Sequence, residues 1–314
     1  LLKIDKFNSE LPWLAAPRRQ FSELLAQGRC PSALLLHGRA GTGRRHLALW
    51  LAEEMLGFSA EQLCADADEL GHPDLFVVEP LEDKNTIGID QIRELIEFLA
   101  LTSHGNSGRV ALVWPAEAMT ANAANSLLKT LEEPPGSAVV LLITESVSRL
   151  PATIVSRCQR LRIPVPETSE ALQWLEASAP GVDFGRLLDF AGGAPLAALA
   201  LHEAEFAAAA RQFAVDLQNL TARRASPPEI ARRWAKNADI ALQWLYWALA
   251  RQIRAGLTDD ADPPQDRGQP DSIQAAFRQM AQIRELRRLI KGGINAELSI
   301  AGLLMDWYGG LGQP

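Results

Sequence analysis

Four short apolar runs, at residues 33–37, 75–78, 110–114 and 139–143, constrain the fold of this chain more than any other feature of its sequence. Each is too short for a core helix and carries no polar residue at every second position, so each reads as a strand buried on both faces. Between them, residues 47–55, 90–101 and 121–133 place apolar side chains at helical spacing. Buried strands alternating with helices predict a parallel sheet covered on both faces. Pro164 and Pro166 then end the pattern, and everything from Ser169 onward reads as helix. Residues 239–253 are apolar nearly all round, which places them inside a helical bundle. The acidic stretch 258–270, with Pro263 and Pro264, reads as a solvated loop.

A chain of 314 residues exceeds the size at which one core keeps growing, so several packed units are expected. The fold class is α/β plus all-α, with an α/β domain over 1–166, a small helical domain over 167–207 and a helical bundle over 208–314. The net charge of -7 argues against tight autonomous binding to DNA, which rests on many Lys and Arg contacts to phosphates. The charge is uneven: residues 205–314 hold 14 Lys plus Arg against 12 Asp plus Glu, or +2, leaving 17 against 26, or -9, for residues 1–204. Cys30, Cys64 and Cys158 are odd in number and far apart, and the amino end has no signal-peptide pattern, so a reducing cytoplasm is the expected compartment. No apolar stretch reaches the ~18 residues of a membrane span, so no membrane partner is expected.

Between the first strand and the first of these helices lies Gly38-Arg39-Ala40-Gly41-Thr42-Gly43-Arg44-Arg45. Its glycines have the spacing of a phosphate-binding loop in the context that such a loop requires. Its ligands do not fit: a working loop has Lys at position 44 to reach the β and γ phosphates and Ser or Thr at 45 to hold magnesium. Arg44 keeps a charge that can pair with phosphate, but its planar fork does not replace a point-like ammonium, and Arg45 cannot ligate a cation. The loop is therefore read as a tight turn that joins strand to helix.

A second string, Asn125-Ser126-Leu127-Leu128-Lys129-Thr130-Leu131-Glu132-Glu133-Pro134-Pro135, is followed by Ser156-Arg157-Cys158. With Pro12-Trp13-Leu14, His72-Pro73-Asp74, Ile89-Asp90-Gln91-Ile92-Arg93 and Asn295-Ala296-Glu297-Leu298, it resembles the clamp-loader branch of the AAA+ proteins over nearly the whole chain. The resemblance implies a RecA-like AAA+ α/β domain, a helical lid and a carboxy-terminal helical collar through which subunits assemble. It also implies as partners the gamma/tau-type ATPase subunits and a delta subunit and, through the assembled complex, the sliding clamp and primed DNA.

Within that branch the sequence departs from the active ATPases. Trp114 and Pro115 stand where an active member has its Asp-Glu pair, and Glu117, displaced by two or three residues, is expected to point elsewhere. Pro195, in Gly192-Gly193-Ala194-Pro195, stands where the lid carries a phosphate-sensing Arg, and Thr144 falls roughly at a polar sensor position. The phosphate Lys, the metal hydroxyl, the acidic pair and the lid Arg are all altered. Phosphoryl transfer depends on positioning and electrostatic stabilisation, so together these changes leave no useful rate. Neither ATP nor magnesium is expected to bind tightly at Gly38, Gly43, Arg44 and Arg45.

Arg157 survives. In the family, the Arg of Ser-Arg-Cys points at ATP held by the neighbouring subunit and acts as an arginine finger; by position alone it would be an ordinary surface Arg. Leu127, Leu128 and Leu131 are core residues in any reading, and Lys129, Glu132 and Glu133 read as a solvated face. Members of the branch often carry a four-cysteine zinc module, of which only Cys64 matches here. Phe58 and Glu61 stand at neighbouring ligand positions, and one ligand cannot close a tetrahedral site, so no zinc is expected and His72 reads as a turn residue. Two alternatives stay open: an active ATPase that tolerates Arg44, and an adaptor that contacts nucleic acid through Arg284, Arg287, Arg288 and Lys291.

Overall fold

The computed structural model describes residues 11–57, 72–81, 84–104, 108–204, 206–257 and 273–310. Phe58, Glu61, Cys64 and the 258–270 segment lie outside the described residues.

The chain forms two compact units, Leu1–Ala200 and Leu201–Pro314. In the first, α1 (Ala15–Ala26) leads into β1 (Ala33–His37), α2 (Arg44–Leu56), β2 (Leu75–Val78), α3 (Ile89–Ala100), β3 (Val110–Val113), α4 (Ala121–Glu132), β4 (Val139–Thr144), the one-turn α5 (Ala152–Val155) and β5 (Gln159–Arg162). The strands form one parallel sheet in the order β2-β3-β4-β1-β5. Every residue of β3 and β4 is buried, as expected of strands covered on both faces.

Alternate residues feed one core layer. Leu35, Ala111, Val113, Val140 and Leu142 pack with Ile92, Leu95 and Leu99 of α3 and with Leu127 and Leu131 of α4.

 Ile92, Leu95 and Leu99 are thus the buried stripe of α3, and Ala123, Ala124, Leu127 and Leu131 that of α4. Cys158 joins the edge of this layer with Ile154, and burial pushes its thiol up to about 11. Gln91 fixes where α3 starts: its Oε1 accepts the Gly88 N–H at 3.1 Å, and its Nε2 donates to the Glu79 carbonyl at 2.8 Å.

The expected parallel sheet is present, with one strand more than the apolar runs predict. β5 reads Gln-Arg-Leu-Arg, and only Leu161 is buried. It lies at the sheet edge beside β1, where a charged strand with one inward side chain needs no apolar run. The helices α6 (Thr168–Ser178), α7 (Gly185–Phe190) and α8 (Pro195–Glu203) follow. His72 behaves as a turn residue, its Nδ1 accepting the Asp74 N–H at 3.2 Å.

The second unit holds α9 (Phe206–Thr221), α10 (Pro227–Trp234), α11 (Ala238–Leu257), α12 (Ile273–Lys291) and α13 (Ala296–Gly310). Phe213, Trp234 and Trp244 form an aromatic cluster with ring centroids 5.3 to 6.3 Å apart. Asp216 is buried beside it and accepts from Trp234 Nε1 at 2.9 Å, Arg233 Nη2 at 2.7 Å and Gln212 Nε2 at 3.0 Å. Ala241, Leu242, Leu245 and Leu249 of α11 are buried, as its apolar sequence predicts. Asn295 caps α13 by accepting the Leu298 N–H at 3.0 Å, which gives the Asn-Ala-Glu-Leu string a local structural reason. No helix among the described residues is long and apolar enough to cross a membrane.

Candidate functional site

A parallel sheet carries the carboxyl ends of all its strands to one edge, where ligands of such sheets bind. Here that edge collects the glycine loop after β1, Glu79 after β2, Trp114 after β3 and Glu145 after β4. The loop is held from several sides. Trp13 Nε1 donates to the Thr42 carbonyl at 2.8 Å, and the buried Thr42 hydroxyl donates to the Arg39 carbonyl at 2.8 Å. Trp174 of α6 meets the Trp13 ring edge-on, with centroids 5.5 Å apart. Leu196 N–H, in the first turn of α8, donates to the Gly41 carbonyl at 3.1 Å.

Two glycines are required by this packing. Gly41 has φ +78°, and a Cβ there would lie 2.5 Å from Ala197 Cβ and 2.6 Å from Ala197 N. Gly43 has φ +91° and faces Leu11 Cδ1, 2.6 Å from where a Cβ would be. Gly38 packs against Ile163 at the end of β5. Pro195 is buried at the start of α8, so this helix meets the loop through backbone and small side chains.

The two arginines that replace the usual ligands both have partners. Arg45 lies with Cζ 4.7 Å from the centre of the Trp114 ring, and its Nη2 is 3.0 Å from Glu79 Oε1. Cation, aromatic face and carboxylate thus lie together at the end of the glycine loop. Arg44, its side chain 10% exposed, reaches to 3.6 Å from Glu145 Oε1. Burial lowers its pKa, while Glu145 and Glu117 act in the opposite direction. Glu117 therefore does not point elsewhere, as its offset from Trp114 predicts. The short 3-10 turn at Ala116–Ala118 brings it back, and its Oε1 accepts the Glu145 N–H at 3.1 Å. Thr144 is fully buried and closes a local turn, its Oγ1 accepting the Ser146 N–H at 3.1 Å.

Arg157 lies away from this loop chemistry, just past α5. Its Nε donates to Glu132 Oε1 at 2.5 Å, its Nη2 pairs with the same oxygen, and its Nη1 donates to the Thr153 carbonyl at 3.0 Å. Glu132 is therefore not part of a merely solvated face. Of the basic residues on α12, Arg287 is committed to Asp239 at 2.8 and 3.0 Å, and Arg288 to Glu285. No group of His, Cys, Asp and Glu that could hold a metal is found among the described residues. Glu79 and Glu145 were not singled out by motif, although each directly follows a buried strand, the position from which side chains reach a site of this kind.

The five-stranded parallel sheet, with its glycine loop between β1 and α2, is that of an AAA+ protein of clamp-loader type. A family described as "DNA polymerase III, delta subunit" matches residues 15–167. The chain is 32% identical over 319 aligned positions to the DNA polymerase III subunit delta' of Pseudomonas aeruginosa, covering 94% of this chain and 96% of that relative. It is 31% identical to the delta' subunit of Escherichia coli, with 94% of each covered. A DNA polymerase III gamma subunit-related protein from Thermotoga maritima shares the fold, with a TM-score of 0.53 and 21% identity over 93% of this chain and 99% of that one. The chain belongs to the delta' subunits of DNA polymerase III.

Proposed function

We propose that this chain serves its clamp loader as a subunit that does not hydrolyse ATP, supplying Arg157 to the nucleotide site of a neighbouring ATPase subunit. The three-part division into an AAA+ domain over 1–166, a lid over 167–207 and a collar over 208–314 belongs to the same proposal. Its partners are gamma/tau-type ATPase subunits and a delta subunit, and it reaches the sliding clamp and primed DNA through the complex. Phe277, Leu298 and Met305 on α12 and α13 are 50 to 72% exposed, which suits helices that meet other subunits.

The observation that carries the reading is Arg45 lying over Trp114 and paired with Glu79. A cation fixed there repels a metal ion and fills the room that it needs. Arg44 is similarly engaged with Glu145. What remains available for catalysis is outside the pocket, at Arg157, whose side chain is 33% exposed. An arginine finger is worth about 10³ to 10⁵ in rate where it has been measured.

The test is a reconstituted loader carrying Arg157→Ala. Assembly should be normal, and ATPase activity stimulated by clamp and primed DNA should fall roughly tenfold or more. An unchanged rate removes the finger role. Equilibrium dialysis of labelled ATP against the isolated chain checks the pocket: saturable, magnesium-dependent micromolar binding would overturn the non-hydrolysing reading.

A further inference from the structure

We infer that Glu132 is a positioning residue for Arg157: its carboxylate holds the guanidinium in a fixed direction before a neighbouring subunit arrives. The inference rests on the proposed finger role and adds to it a residue that the sequence places on a solvated helix face.

The geometry comes from two elements. Arg157 lies two residues past the end of α5, and Glu132 is the last residue of α4. Nε and Nη2 both meet Glu132 Oε1, while Nη1 donates to the Thr153 carbonyl and lies 3.4 Å from Ser156 Oγ. Every nitrogen of the guanidinium therefore has a partner in its own chain. Arg has several single bonds to fix, and a planar fork with a defined edge can be aimed only if that edge is held. A carboxylate on one edge and a backbone carbonyl on Nη1 do this, while the side chain stays 33% exposed.

Charge supports positioning over permanent capture. Glu132 is itself 48% exposed, so water screens its hold on the guanidinium. A nucleotide phosphate carries more negative charge than one carboxylate and can engage the exposed part of the fork without displacing the Nε contact. The pair thus fixes direction and leaves the cation usable.

The test uses the reconstituted loader with Glu132→Gln, Arg157→Ala and the double variant. Glutamine keeps the size of the side chain and one acceptor oxygen but removes the charge. Glu132→Gln should lower the stimulated kcat about threefold to tenfold, as small misplacements of a reacting group do, with KM for ATP little changed. In the Arg157→Ala background the same substitution should have no further effect. Thermal unfolding of the isolated variants separates this from loss of structure, because Glu132→Gln should melt within a degree or two of the parent, as changes at half-exposed pairs do. If Arg157→Ala lowers the rate and Glu132→Gln does not, positioning is overturned and the finger role stands. A higher rate in Glu132→Gln overturns it too, since Glu132 would then be a brake. An equal loss in both backgrounds overturns it by showing an effect independent of Arg157. An unchanged rate in Arg157→Ala removes the finger and the positioning together.

Discussion

Arg45 ties the glycine loop to the ends of two other strands through one side chain. Its guanidinium has an aromatic face at 4.7 Å and a carboxylate at 3.0 Å, and both partners are more than thirty residues further along the chain. Arg45→Ala should destabilise the protein by about 1–2 kcal/mol, the sum expected for a cation–π contact and an ion pair that are both partly buried. Urea unfolding measures this, and an unchanged midpoint would show that the contacts contribute nothing. Arg45→Lys should recover part of the loss, because it keeps the charge and lacks the plane. At this scale the sequence was informative about which residues are unusual and silent about what they touch. Arg44, Arg45, Trp114 and Pro195 stand out by position in a motif, whereas the pairing of Arg157 with Glu132 depends on how α4 and α5 pack.

At the scale of elements, the glycine loop and α8 behave as one piece. Leu196 N–H donates to the Gly41 carbonyl, and Ala197 leaves no room for a side chain at Gly41. Gly41→Ala should cost about 2 kcal/mol or more, combining a left-handed backbone that Ala resists with a collision against α8. Native-state hydrogen exchange reports it directly: the Leu196 amide should exchange faster while amides of β4 keep their ratio to the global rate. Unaltered exchange at Leu196 would mean that the loop and α8 are not coupled. The buried strands were legible because each is an unbroken apolar run. β5 was not, since an edge strand beside β1 needs only Leu161 inside. The return of Glu117 to Arg44 was hidden for a similar reason, as it depends on a 3-10 turn that no periodicity announces.

For the whole molecule, stability should depend on pH through His46 on α2. Burial holds its pKa down at about 4, with smaller contributions from the charges of Arg18 and Arg45. A histidine lowered in the folded state favours folding while it is neutral. That contribution is fully present above the ordinary histidine value of 6.5 and is lost as the pH falls from there toward 4. Between pH 7.5 and 5 the loss should be about 2 kcal/mol. His46→Gln should remove this slope from the urea midpoints, and a variant with the parent's slope would assign it to other groups. The division between an α/β part and a helical remainder was legible in the change from short apolar runs to continuous helix. The boundary of the compact units at Ala200 was not, because α6 to α8 pack on the sheet domain through contacts such as Trp13 with Trp174, which no local pattern marks.

The Arg45, Trp114 and Glu79 trio also constrains which substitutions the loop tolerates. A hydroxyl at 45 alone strips Glu79 of its cation and leaves the Trp114 ring without the guanidinium stacked on it. An acid at 114 alone removes that ring and brings a second carboxylate to Arg45. Each single change leaves a group without its counterpart, so the three positions should vary together or not at all.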